Sequence, residues 1–204
     1  MGYNRNQIQA GRLTTAHLDH LVRVYQETAG LTVDGKCGPK TLASMPVSVA
    51  AGGHVARALS ALGKNTRYKL GAGGYNPDAE HPGRDCDCSG FVAWVIGYSR
   101  KHRFGSSSWI STSDMVRDAK GKQALFGLID DPVPGCVVVY GDAGGKQGHC
   151  GIITRIEEGK LYGVDCAGSS YRRKKDAIQE RDFSFFVAKP GAIFCAVQGG
   201  NHGK

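Results

Sequence analysis

Residues 85–100, DCDCSGFVAWVIGYSR, decide how this chain is read. Phe91, Val92, Val95 and Ile96 share one stripe at helical spacing, which predicts a buried helix from about Ser89. Cys88 then sits at a helix N-terminus, where oriented N–H groups and the helix dipole lower a thiol's pKa and favour the thiolate, the form that attacks carbonyls. Its neighbours Ser89 and Gly90 are small, so a substrate can come close to the sulfur. The backbone N–H of Cys88 is a natural oxyanion donor.

Upstream, the loop from Gly71 to Arg84 is rich in Gly, Pro and Asp, and HVARALSAL predicts a helix with Val55, Ala58, Leu59 and Leu62 on one face, ending at Gly63. PVSVAAGG, residues 46–53, reads as a linker, being small and low in charge. Before it, Leu18, Leu21, Val22 and Tyr25 mark a helix that ends at Gly30. LTVDGKCGPKTLASM predicts a second, shorter one, with Pro39 at a first helical position and Leu42 and Met45 on one face. The domains are therefore a small helical module, 1–46, a linker, 47–53, and a larger domain, 54–204. Downstream come a loop containing Trp109, a short helix around Thr112 to Ala119, and then strands at CVVVY (136–140), HCGIITRI (149–156), KLYGVDC (160–166) and AIFCAV (192–197). Helices followed by antiparallel strands are an α+β layout.

The net charge of +8 and pI near 9.2 favour an anionic partner: nucleic acid, anionic membrane or cell wall. The basic runs are Arg100, Lys101 and Arg103, then Arg172, Arg173, Lys174 and Lys175; solvated faces are the equal alternative. Seven cysteines cannot all pair, and Cys136, Cys150 and Cys195 stand in apolar, strand-like contexts where a thiol acts as a small hydrophobe. That pattern suits a reducing cytoplasm. MGYNRNQIQAGRLTT has no apolar core of a secretory signal, and no stretch approaches the roughly 20 apolar residues of a membrane span. The expectation is a monomer made as a soluble cytoplasmic species, with no membrane insertion.

A thiol nucleophile needs a base and a group that orients it. Of the seven histidines, His149 stands in a strand-like run, GHCGIIT, while the others belong to helices, loops or the tail. On the following strand Asp165 and Cys166 face opposite ways, so one of them meets His149; Asp165 is chemically the better partner, since a carboxylate accepts the imidazole N–H.

RYKLGAGG, DCSGFV, PGCVVVY and GHCGIIT, in that order, resemble the NlpC-type cell-wall cysteine peptidases, a papain-like family, over residues 54 to 197. DCSGFV followed about sixty residues later by GHCGI is the most specific part of the likeness. It implies a papain-like fold, with Cys88 as nucleophile, His149 as base, Asp165 as the polar third residue, Tyr68 on the oxyanion side, and Asp87 and Ser89 gripping a free amine of the substrate. Trp109 is added as a substrate-binding residue. The chain departs from the family at Asp165, where histidine is more usual, and at Cys136, which replaces a common aspartate. Cys86 is read as buried, with a resolving thiol or metal ligand as alternatives. GLTVDGKCGPKTLASM with the helix before it looks like the end of a three-helix peptidoglycan-binding domain.

The resemblance implies a peptidoglycan hydrolase of bacteriophage endolysin type, needing no cofactor or metal, binding no nucleic acid, and cutting between D-glutamate and the diamino acid of the stem peptide. The alternative is the CHAP-type family, papain-like enzymes that commonly cut between muramic acid and L-alanine. A different class of reading makes Cys86, Cys88, His149, Cys150 and Cys166 a zinc site, although C-x-C lacks the usual C-x₂-C spacing.

Overall fold

The computed structural model describes residues 14–36, 41 and 46–198. The chain divides into two compact units, Met1–Ala50 and Ala51–Lys204.

In the first unit, helix α1 (Thr15–Thr28) starts at Thr14, whose hydroxyl accepts from the His17 N–H at 3.3 Å while the His17 ring accepts from the Thr14 N–H at 3.1 Å. This is a reciprocal cap with histidine in the place usually taken by an acid or amide. Buried Gln26 holds the turn that follows, its carboxamide donating to Asp34 Oδ1 (2.8 Å) and Thr41 Oγ1 (2.9 Å) and accepting from Gly35 N–H (2.9 Å). The second short helix predicted up to Met45 lies, apart from Thr41, outside the described residues.

Helix α2 (Pro46–Ser60) contains both the stretch read as a linker and the first part of the predicted HVARALSAL helix, so residues 46–53 are helical. A low-charge Val/Ala/Gly run carries no strong turn signal, and it continues the helix that follows.

The second unit is mixed α and β. A short parallel pair, β1 (Arg67–Tyr68) and β2 (Asp85–Cys86), brackets the Gly-rich loop. Helices α3 (Cys88–Val95) and α4 (Thr112–Lys120) follow. Strands β3 (Phe126–Ile129), β4 (Val137–Tyr140), β5 (His149–Glu157), β6 (Lys160–Cys166), β7 (Ile178–Asp182) and β8 (Ile193–Val197) form one antiparallel sheet in the order β3-β8-β4-β5-β6-β7. Helix α5 (Gly168–Lys174) links β6 to β7, and α6 (Ser184–Val187) follows β7.

Every residue of α3 is buried, and the helix packs on β5 and β6. One sheet face joins α3 and α4 through Val137, Val139, Cys150, Ile152 and Val164; the other, with Val138, Ile153 and Leu161, is covered by Phe183 and Phe186. Burial on both faces explains why VVVY is an unbroken apolar run and not an alternating one. Phe183 packs closely on the sheet because residues 151 and 163 lack side chains: a methyl at Gly151 would come within 2.8 Å of its ring, and one at Gly163 would overlap it. The β5–β6 hairpin turns at Glu158-Gly159, both with positive φ, as the two-residue primed turns require. Among the described residues no helix is long and apolar enough to cross a membrane.

Candidate active site

Asp87 caps α3, its carboxylate accepting from the Gly90 N–H at 2.8 Å, so Cys88 is the first residue of the helix. The Cys88 N–H therefore has no acceptor inside the helix. Gly90 is small for a reason other than substrate access: a methyl there would lie 2.5 Å from the Ala72 carbonyl and 2.7 Å from that of Gly73, so it lets the Gly-rich loop close on the helix.

His149 opens β5 at the end of the sheet and Asp165 sits on β6 opposite Gly151. Residues 149, 151 and 165 share a sheet face, which makes His149 and Asp165 diagonal neighbours beside Gly151, a position without a side chain. The imidazole Nε2 is 2.7 Å from Asp165 Oδ2, and Asp165 is fully buried. Cys166 points the other way and donates to the Cys86 carbonyl at 3.3 Å. The His149 ring stacks on Phe186, centroids 5.4 Å apart and planes 8° from parallel, which fixes its tilt. With Nε2 on Asp165, the ring also acts on the Cys88 thiol, each group favouring the charged form of the other.

Two groups to which the sequence reading gave no part beside the nucleophile, Cys150 and Arg181, complete the site. Cys150 hydrogen-bonds Cys88 and, first among the causes, brings its pKa down to about 6, with the His149 contact adding to the effect. Burial pushes the Cys150 thiol itself well up, so Cys150 keeps its proton and donates it to the Cys88 sulfur. For His149, burial opposes the charge, but hydrogen bonds to Asp165 and Cys88 outweigh it and raise the pKa to about 9. These shifts favour a thiolate–imidazolium pair. Arg181 on β7 is the other addition: its Nε donates to Asp165 Oδ1 at 3.0 Å and its Nη2 to Oδ2, a bidentate fork behind the carboxylate, and it lies over the Phe185 ring. β7 was missed because IQERD carries the charges of a protected edge strand and shows no apolar alternation.

Tyr68, half-buried at the end of β1, has its hydroxyl pKa raised by burial and by negative charge on Cys88, so it remains a donor. Asp87 and Ser89 lie next to Cys88 but face inward. Asp87 pairs with buried Arg100 at 3.0 Å, and Ser89 Oγ donates to Asp87 and accepts from Arg100 at 2.8 Å. Trp109 stacks over that guanidinium, 4.8 Å from Arg100 Cζ to the ring centroid. Arg100, taken with Lys101 and Arg103 as a surface run, is thus an interior residue; its only sequence signal was its charge.

Cys86 is buried, and its thiol donates to the Asp87 carbonyl at 3.3 Å. Among the described residues no three His, Cys, Asp or Glu side chains are grouped so as to hold a metal ion. Comparison with protein-family models and with curated proteins finds no match for this chain.

Proposed function

We propose that this protein is a cysteine peptidase of papain-like fold that cleaves an amide bond in bacterial peptidoglycan. The observation that carries the reading is the His149–Asp165 hydrogen bond of 2.7 Å, with a thiol at a helix N-terminus whose pKa is brought down to about 6 by Cys150 and then by His149. The Cys88 thiolate attacks the amide carbonyl carbon, and the displaced electron pair collects on oxygen, where the Cys88 N–H and Tyr68 hydroxyl donate to it. The C–N bond then breaks as imidazolium His149 gives its proton to the leaving amine. Water attacks the resulting thioester, His149 takes its proton, and the acid product leaves with the thiolate restored.

Peptidoglycan as substrate rests on the sequence likeness and on a basic chain suited to an anionic polymer. The bond proposed lies between D-glutamate and the diamino acid. The N-terminal unit would add affinity for the wall, and the whole would act as an endolysin, made in the host cytoplasm and released to the wall. Asp165 in the third position, with Asp87 engaged by Arg100, favours one rival, the CHAP-type cleavage between muramic acid and L-alanine. Turbidity loss of outer-membrane-stripped cells tests the reading: Cys88→Ala and His149→Ala should lose nearly all activity, and Cys86→Ala should keep most of it. Activity surviving in Cys88→Ala would refute it.

A further inference from the structure

The likeness puts recognition of a free substrate amine on Asp87 and Ser89. A carboxylate can hold an ammonium group from a ligand only with acceptor positions open to the cleft and with charge that is not already balanced. Asp87 has neither. Its Oδ1 accepts from Gly90 N–H (2.8 Å) and Ser89 Oγ (3.1 Å), and its Oδ2 from Gly71 N–H (2.6 Å) and Arg100 Nη2 (3.1 Å), with the same guanidinium nitrogen 3.0 Å from Oδ1 as an ion pair. A carboxylate offers about four acceptor positions, so these four hydrogen bonds use them all. The Ser89 hydroxyl is likewise engaged on both sides.

Arg100 is not a displaceable partner. It is 1 % exposed, its Nη1 donates to the Ala72 carbonyl at 2.6 Å, and the Trp109 ring covers it. Taking one member from a buried ion pair leaves the other uncompensated in a medium that solvates charge poorly. In the chain segments next to Tyr68, Lys69 and Arg84 are exposed bases, and the acid there, Asp85, is paired with Arg67 at 2.6 Å, so it is already balanced.

We infer that the cleft takes stem peptides whose amino end is acylated, as it is while the peptide is joined to the glycan, and does not select peptides whose first amine has been freed. Asp87, Ser89 and Arg100 instead clamp the N-terminus of α3 and so hold Cys88 in place. The inference rests on the peptidoglycan reading above. It places the reaction ahead of, or independent of, any amidase step that detaches the stem from the sugar.

The test uses the full chain on two substrates: intact sacculi, and the same sacculi treated beforehand with an amidase that severs the muramic acid–alanine bond. Stem fragments should be released from intact sacculi at least as fast as from the treated ones. A rate roughly tenfold or more higher on treated sacculi, the behaviour of a site built to bind the freed amine, would overturn the inference and leave the peptidase reading standing. Release from neither substrate would overturn both. Release from intact sacculi with new N-terminal L-alanine supports the inference and moves the bond to the CHAP-type position.

Discussion

Three groups decide where the proton between Cys88 and His149 resides: Cys150 donates to the sulfur, Asp165 accepts from the imidazole, and Arg181 balances Asp165 from behind. The Cys88 pKa is lowered to about 6, so the thiolate exists above that pH; the His149 pKa is raised to about 9, so the imidazolium persists below it. Turnover needs both forms, and its kcat/KM should follow a bell with limbs near these two values. Alkylation of Cys88 by iodoacetamide should rise through the lower limb alone, and a thiol that becomes reactive only near pH 9 would refute the ion pair. Asp165→Asn removes the charge that holds the imidazolium. The loss of a hydrogen bond to a charged group, ~1.5–3 kcal/mol, corresponds to a rate lowered by ~10–100-fold, with the upper limb moved down. Arg181→Met has the opposite electrostatic sign. It leaves Asp165 with less positive charge around it, protons on both Cys88 and His149 become more stable, and both limbs should move up in pH; Arg181→Lys should restore part of the shift, because it returns the charge without the fork. Unmoved limbs in Arg181→Met would remove Arg181 from the electrostatics of the site.

At the scale of elements, Asp118 near the end of α4 joins helix to sheet. Its buried carboxylate accepts from the backbone N–H groups of Ala124 (3.0 Å), Leu125 (2.9 Å) and Phe126 (2.9 Å), which seats β3 at the sheet edge. Asp118→Ala leaves these donors unsatisfied and should cost about 2–4 kcal/mol in urea unfolding, while the pH limbs of Cys88 alkylation stay in place. Movement of the limbs without loss of stability would contradict this division of labour. The sequence made α3 and the central strands legible because their burial is periodic or continuous: KLYGVDC was expected at 160–166 and β6 spans Lys160–Cys166. It hid β3, β7, α5 and α6. β3 and β7 are the sheet edges, where half the surface is solvated and FGLI and IQERD carry weak patterns; α5 and α6 are single-turn or two-turn helices too short for a stripe. Gly151 and Gly163 lie inside strands that the sequence predicts, but why those positions are glycine shows only when Phe183, from a later turn of the chain, is seen resting on them. The site was legible to the same extent. Cys88 and His149 announce themselves through local context, whereas Cys150, Arg181 and Arg100 act through contacts that register and folding create.

For the molecule as a whole, charge and local chemistry make separable predictions. The chain carries 26 Lys and Arg against 18 Asp and Glu. The basic residues Arg172, Arg173, Lys174 and Lys175 at the end of α5 are exposed and stand favourably at a helix C-terminus. Attraction of such a surface to an anionic wall acts over a distance that salt shortens, from about 10 Å at 0.1 M to about 3 Å at 1 M. The contacts inside the site work at hydrogen-bond distance with Asp165 fully buried, and salt screens these much less. Sacculus hydrolysis should therefore fall several-fold between about 0.05 and 0.5 M sodium chloride, while alkylation of Cys88 by iodoacetamide, an uncharged reagent, stays nearly constant over the same range. Replacing the four basic residues of 172–175 by glutamine should flatten the salt dependence of hydrolysis and leave alkylation untouched. Equal salt sensitivity of both reactions would instead mean that salt disturbs the Cys88–His149 pair itself, and a salt-independent hydrolysis would mean that the basic surface does not serve the wall.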